Sequence, residues 1–411
     1  MAGSKIVERM GRLRHGRALP LGLALAMSQF GTLAFLLAAK LRFADEDFAQ
    51  LVLAIGVASI LGAVATWRLE VLLYHAQKVF TRLGILLPVL LSVFVVSLAA
   101  YALTSLVRIA GYPLPLWGAL YALALAWQAV GQFMLVQQQR LGMLLLIRGA
   151  QFLSVCAAAF AVFMNLPFES VVLGFALANL LPSGVWLVAQ AWRARGVPGT
   201  VSKDQALPLA QRSAMRTLTI FVNTFAANIP VILCVSTQTS AYAADFGFQL
   251  KLFTPLVTFA TTVFGQMFLA DIIRCDVDQL QGAKTIRAKM RRTTVRSVVF
   301  VAVGAIAVII AILLASHWLG LVVNYYLAIS LAIAVVSQAS FAPIGNVSDV
   351  ARIESELFAL FVLRALAAYF LLAADLPPDF AVVFAVINLV SYPSFWLFCD
   401  WRIRRREALA T

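Results

Sequence analysis

Twelve apolar stretches, each near the 20 or so residues that a helix needs to cross hydrocarbon, leave this 411-residue chain one class of fold. They cover approximately 19–39, 48–67, 83–106, 114–136, 141–164, 169–192, 217–238, 244–270, 295–315, 322–345, 357–375 and 379–399. Hydrophobic residues make up 62% of the chain and charged residues only 12%, far from the balance of water-soluble domains. The expected class is an all-α polytopic membrane protein with 12 transmembrane helices. A basic segment, "KIVERMGRLRHGR", precedes the first stretch but no small-residue cleavage site follows, so that stretch reads as a retained helix and not as a signal peptide.

The net charge of +14 is explained by topology and not by a nucleic-acid partner, because the basic residues fall between apolar stretches instead of on one soluble face. With the N-terminus in the cytoplasm, only Lys40, Arg42 and Arg108 lie outside and only Arg148, Lys251 and Arg364 lie within spans; the remainder of the 32 basic residues are cytoplasmic. Both termini are therefore expected inside. The most basic inside segment, "IRAKMRRTTVR" at 286–296, is a topology signal that is also suited to lipid phosphates. Cys156, Cys234, Cys275 and Cys399 show no paired spacing, so neither a disulfide framework nor a metal site is expected.

The sixth and twelfth stretches repeat one pattern. "FALANLLPSGVWLVAQAWR" from Phe175 and "FAVINLVSYPSFWLFCDWR" from Phe384 share Phe, Ala, Asn, Leu and a closing Trp-Arg at one constant offset, close to half the chain. Arg148 and Arg364 recur in the fifth and eleventh stretches at a similar offset. An even number of spans in each half gives both the same orientation, so the halves are expected to form two parallel six-helix bundles. The expected division is an N-terminal bundle at 1–195, a cytoplasmic linker at 196–216 that contains Gly and Pro, and a C-terminal bundle at 217–411.

Arg148 and Arg364 each lie roughly 11 to 12 Å in from the cytoplasmic end of an apolar span. An arginine near the centre of a span costs on the order of 2.5 to 3.5 kcal/mol on insertion scales, and such charges usually face a bundle interior or a wet cavity. Two readings stand. The side chains snorkel to the inner headgroups, or they face a cavity and bind an anion through a fork of donors suited to phosphate or carboxylate. Lys251 adds a third cation, out of helical ion-pair register with Asp245. A cationic cavity of Arg148, Arg364 and Lys251 is the expected substrate site. Gln128, Gln151, Asn179, Asn223, Gln249 and Asn388 are polar candidates to line it, alongside Gln29, Gln132, Asn228 and Gln338; each amide also suits hydrogen bonding between helices. Pro88, Pro182, Pro230, Pro255, Pro343 and Pro393 lie within spans, where they either kink a helix or let it bend during transport.

No Gly-rich phosphate loop ending in Gly-Lys occurs, and His15, His75 and His317 are dispersed, with no Ser/His/acid or paired-carboxylate set. The outer loops are short and leave no room for an external catalytic domain. Neither an enzymatic activity nor a cofactor is expected.

Together with the twelve spans, "TWRLEVLLYHAQK" at 66–78, "RLGMLLLIRGAQFLSV" from Arg140 and "FGFQLKLFTPLVTFATTVFGQMFLADI" from Phe246 resemble the polysaccharide-biosynthesis flippases, which share a superfamily with the multidrug and toxic compound extrusion (MATE) transporters and the lipid II flippases. The likeness covers nearly the whole chain. It implies a V-shaped, MATE-like pair of bundles in a bacterial inner membrane. The implied cargo is an oligosaccharide on undecaprenyl pyrophosphate, moved to the outer leaflet for O-antigen lipopolysaccharide or exopolysaccharide assembly. Membrane lipids, a glycan polymerase and export machinery are the implied partners. Arg148, Arg364 and Lys251 would neutralise the diphosphate while amides meet sugar hydroxyls. Arg68, Glu70 and Asp245 become candidates for conformational coupling, with interfacial anchoring the other reading of Arg68 and Glu70.

Departures narrow the expectation. A MATE drug exporter usually carries an acidic cation-coupling residue in its first or seventh helix, but "LGLALAMSQFGTLAFLLAAK" and "TLTIFVNTFAANIPVILCVSTQ" contain none. Lipid II flippases have two additional helices, for which this chain has no stretch. The expected function is a flippase for a lipid-linked oligosaccharide; the alternatives are export of another amphiphile or drug, or a non-catalytic membrane partner of a glycan-assembly complex.

Overall fold

The computed structural model describes residues 2–65, 115–137, 140–164, 166–193, 203–272, 280–319, 324–339, 353–374 and 379–409, with a few isolated positions besides. The elements over these residues are all helical: α1 (Ala2–Arg42), α2 (Asp45–Ala65), α3 (Leu116–Gln137), α4 (Leu141–Val162), α5 (Phe168–Arg193), α6 (Lys203–Thr237), α7 (Ser240–Phe259), which runs through a π-helical turn (Ala260–Phe264) into α8 (Gly265–Ile272), α9 (Leu280–Leu319), α10 (Tyr325–Ala339), α11 (Glu354–Ala373) and α12 (Phe380–Leu409). Eight of the described helices are long and apolar enough to cross a membrane. Every expected span has its helix except 83–106, which lies almost entirely outside the described residues.

Local chemistry sets the starts of these helices. Asp45, Glu46 and Asp47 place negative charge in the first turn of α2, where the helix dipole favours it. Thr239 Oγ1 accepts from the Tyr242 amide at 3.3 Å to cap α7, and Asn324 Oδ1 accepts from the Leu327 amide at 3.1 Å to cap α10. Asp379 Oδ1 does the same for Ala381 at 3.1 Å, and also accepts from the Tyr242 hydroxyl, which ties the start of α12 to α7. Pro182 and Pro393 sit inside continuous helices, whereas Pro255 precedes the π-helical turn, around which the hydroxyls of Thr254, Thr258 and Thr261 bond to carbonyls one turn back.

Three basic segments outside the apolar spans are helical as well. The N-terminal segment continues α1 from Ala2, the 286–296 segment lies within α9, and the expected linker is helical from Lys203 onward as part of α6. Hydropathy ends a span where charge begins, but Ala, Arg, Lys, Gln and Met remain good helix formers in water, so the helix continues after the membrane signal stops.

The chain divides into two compact units, Met1–Thr224 and Phe225–Thr411, with the boundary inside α6. In the first, α1 packs on α4, α2 on α3, and α5 on both α3 and α4. In the second, α7 packs on α10, α12 packs on both α10 and α11, and α9 lies against α10 and α12. The pairs α2–α3, α3–α5 and α4–α5 thus have counterparts in α7–α10, α10–α12 and α11–α12, so the sequence repeat is also a packing repeat. Aromatic residues fill the interiors: Phe35 stacks on Phe175 at 4.1 Å, and Phe246 meets Phe380 edge-on at 5.4 Å.

The α3–α5 contact depends on a glycine. A Cβ at Gly184 would stand 2.8 Å from the Trp127 ring, while one at Gly174 on the same helix would meet nothing within 4 Å. Gly184→Ala is expected to destabilise the protein by about 1–3 kcal/mol through overpacking against a rigid ring, and Gly174→Ala to be neutral or stabilising by up to about 1 kcal/mol. Thermal unfolding of the two variants in detergent checks the contrast; equal midpoints would contradict it.

Candidate functional site

Arg148 lies on the inward stripe of α4. Leu144, Ile147, Gln151, Val155, Ala158 and Ala159 share that buried face, while Leu146, Leu153 and Phe160 on the opposite side are more than 60% exposed. Helical periodicity therefore carries the guanidinium toward α3 and α5, and the residue is only 5% exposed. Nη1 donates to Gln128 Oε1 and to Gln151 Oε1, both at 2.7 Å, and Nη2 donates to Gln132 Oε1 at 3.1 Å. The amides are themselves fixed. Gln128 Nε2 donates to the Asn179 carbonyl at 2.9 Å, Gln151 Nε2 donates to Asn179 Oδ1 at 2.7 Å, and Asn179 Nδ2 donates to the Phe175 carbonyl at 2.9 Å.

The network therefore links α3, α4 and α5 through one charge and four amides. Every partner of Arg148 among the described residues is neutral, so its hydrogen bonds are met and no ion pair among those residues cancels its charge. A narrow cleft bordered by Gln132, Arg148, Ser183 and Trp186 adjoins the network and holds about 10 Å³ of space, enough for one water.

The second unit places an arginine and an asparagine in the same relation. Arg364 on α11 is 3% exposed and donates through Nη2 to Asn388 Oδ1 at 3.0 Å; Asn388 Nδ2 donates to the Phe384 carbonyl at 2.7 Å, as Asn179 does to Phe175. Where the first unit places glutamines, the second places a ring: the Arg364 guanidinium carbon lies 4.4 Å from the centroid of Tyr392. Tyr392 is a contact that the sequence expectation lacks. Its spacing of four from Asn388 puts it on the same face of α12, a cue available in "INLVSYP".

Lys251 is half-buried on α7 and makes no hydrogen bond or ion pair among the described residues. Two residues earlier, Gln249 is 2% exposed; its Nε2 reaches the Asn324 carbonyl at 3.5 Å and its Oε1 has no partner among the described residues. Asn223 on α6 and Asp245 on α7 are half-buried, and both have partners. Arg68 and Glu70 lie outside the described residues. The structure thus brings Arg148 together with Gln128, Gln151 and Asn179, and Arg364 with Asn388, each set inside its own unit. It adds Gln132 and Tyr392 as contacts of the two arginines.

No protein-family model matches this chain, and no curated sequence does. Solved structures match over nearly the full length. The chain is similar to a mutant of the Vibrio cholerae MATE transporter VcmN (TM-score 0.61, 14% identity, 97% of this chain and 98% of that one). It is also similar to a eukaryotic MATE transporter, AtDTX14 (TM-score 0.59, 12% identity, 98% and 99%), and to an inward-facing multidrug resistance MATE family transporter of the MOP superfamily (TM-score 0.52, 13% identity, 96% and 96%). At these identities the likeness defines a MATE-like membrane fold and nothing narrower.

If amide carbonyls solvate Arg148, removing one leaves a buried guanidinium donor unmet. Gln151→Leu is expected to lower stability by about 1–3 kcal/mol, and the loss should shrink in an Arg148→Met background, with a coupling of about 0.5–3 kcal/mol. A double-mutant cycle read by thermal unfolding measures this; strictly additive losses would show that the pair does not interact.

Proposed function

We propose that this protein exports an amphiphile across a bacterial inner membrane, with both termini cytoplasmic. The carrying observation is the full-length match to MATE transporters, one of them described as a multidrug resistance protein. Two units with similar internal packing suit alternating access, in which two repeats move against each other around a cargo. An exporter of this kind needs no cofactor and no bond-making chemistry.

A second reading is favoured by one specific observation: the net in-span charge is cationic, with Arg148, Lys251 and Arg364 against the single acid Asp245. The guanidinium of Arg148 keeps its charge among neutral amides, Lys251 has no ion pair among the described residues, and α1 carries no acid along its apolar span. A field of that sign suits an anionic headgroup over a cationic drug. A lipid-linked oligosaccharide on undecaprenyl pyrophosphate, with glycan polymerase and export machinery downstream, is the cargo that the flippase resemblance would supply. Lys251 is then the cation with freedom to meet the diphosphate, while Arg148 and Arg364 contribute field and position.

A strain lacking this protein separates the two cargoes. Amphiphile export predicts greater sensitivity to, and retention of, amphiphilic dyes with normal surface glycan. Glycan flipping predicts accumulation of lipid-linked sugar and loss of surface polysaccharide, restored by wild type and poorly by Lys251→Gln expressed at the same level. No change in either readout would overturn the export reading.

A further inference from the structure

Asp400 on α12, just beyond the apolar span, is 2% exposed, and a carboxylate so placed needs partners. Arg287 Nε at 2.8 Å and Arg291 Nη2 at 3.4 Å reach it from α9, and Arg404 Nη2 at 2.7 Å reaches it from the next turn of α12. Glu407 accepts from Arg287 Nη1 at 3.4 Å. Two carboxylates therefore serve three arginines. Arg292 and Arg405, both exposed, add charge that no ion pair among the described residues offsets. Nor are the paired arginines sealed away: the side chains of Arg291 and Arg404 remain 48% and 54% exposed.

Depth in the membrane can be read from the neighbours of this cluster. Trp401 is 51% exposed, with the guanidinium carbons of Arg402 and Arg405 each 5.9 Å from its ring, an arrangement typical of the headgroup boundary. Trp396 Nε1 donates to Thr294 Oγ1 at 2.9 Å and pins α9 beside α12 at this level. Along α9, Val295, Val299 and Val303 are 62%, 56% and 62% exposed, and with Arg291 they form a stripe of one residue every four. That stripe changes from apolar to charged at Arg291, which pairs with Asp400 beside Trp401.

We propose that the cytoplasmic ends of α9 and α12 bind the headgroup of an anionic phospholipid, with Arg291, Arg292, Arg404 and Arg405 around the phosphate and an acyl chain along the valine stripe. Guanidinium forks match phosphate oxygens, and a basic cluster at the inner leaflet gains from its negative surface potential. An acidic peptide or a nucleic acid would match the charge but leave the valines unused. Asp400 acts as the buried anchor that holds arginines of two helices at one place. The site is separate from the in-span charges and does not depend on which cargo is carried.

The full chain, purified in neutral detergent, is titrated with phosphatidylglycerol, with phosphatidylcholine or with inorganic phosphate, and binding is read from the shift in thermal midpoint. The expected result is a saturable rise with phosphatidylglycerol that exceeds the effect of the other two. Arg292→Gln with Arg405→Gln leaves the Asp400 pairs intact and is expected to weaken that binding roughly 30-fold, the contribution of two arginines near a charged headgroup plane. Arg140→Gln with Arg193→Gln, exposed residues of the first unit, removes equal charge and is expected to leave binding unchanged. Equal responses to the two lipids, a full response to phosphate alone, or equal losses in the two double variants would each overturn the proposal.

Discussion

A charge held inside a membrane must have its hydrogen bonds met by the protein, and this requirement organises the first unit around Arg148. Three helices supply the acceptors: α3 gives Gln128 and Gln132, α4 gives Gln151, and α5 gives Asn179 to orient two of those amides. A carboxylate would have met the same donors and cancelled the charge. Neutral amides meet the donors and leave the charge in place, so the network is both an interhelix tie and a source of positive potential within the span. This follows from the chemistry of the acceptors, whatever the cargo.

The second unit shows how far a repeat can drift while keeping its frame. Asn179 and Asn388 both bond back to the carbonyl four residues earlier and turn Oδ1 toward the arginine side of the helix pair. From there the solutions diverge. Asn388 accepts directly from Arg364, and the face of Tyr392 takes the place of glutamine oxygens. The helix frame fixes the position of the charge, and the side chains around it are interchangeable so long as they offer electron density to a guanidinium.

The spans, the repeat and the two arginines are legible in the sequence because each breaks a strong background: long apolar runs, a fixed offset, a charge where none belongs. Partners are less legible. Gln128 stands 20 residues from Arg148 and Gln132 stands 16 away, on another helix, so which amides turn inward depends on helix rotation that one sequence does not encode locally. The extension of α9 through "IRAKMRRTTVR" is hidden because hydropathy reports membrane and not helix. Asp400 is hidden for a related reason: among the arginines that crowd α9 and α12, "CDWRIRRRE" reads as a solvated tail, and only the side-by-side packing of those helices reveals a buried ion-pair hub.

Transfer between leaflets by the purified protein tests the central claim most directly. The full chain is reconstituted into liposomes, and two fluorescent probes, a polyprenyl diphosphate sugar and a cationic amphiphilic dye, are followed by chemical quenching of the outer leaflet. The account predicts transfer of at least one probe above the rate in protein-free liposomes, with the anionic probe preferred if the uncancelled charge of Arg148 and Lys251 acts on cargo. Rates equal to protein-free liposomes for both probes would contradict it.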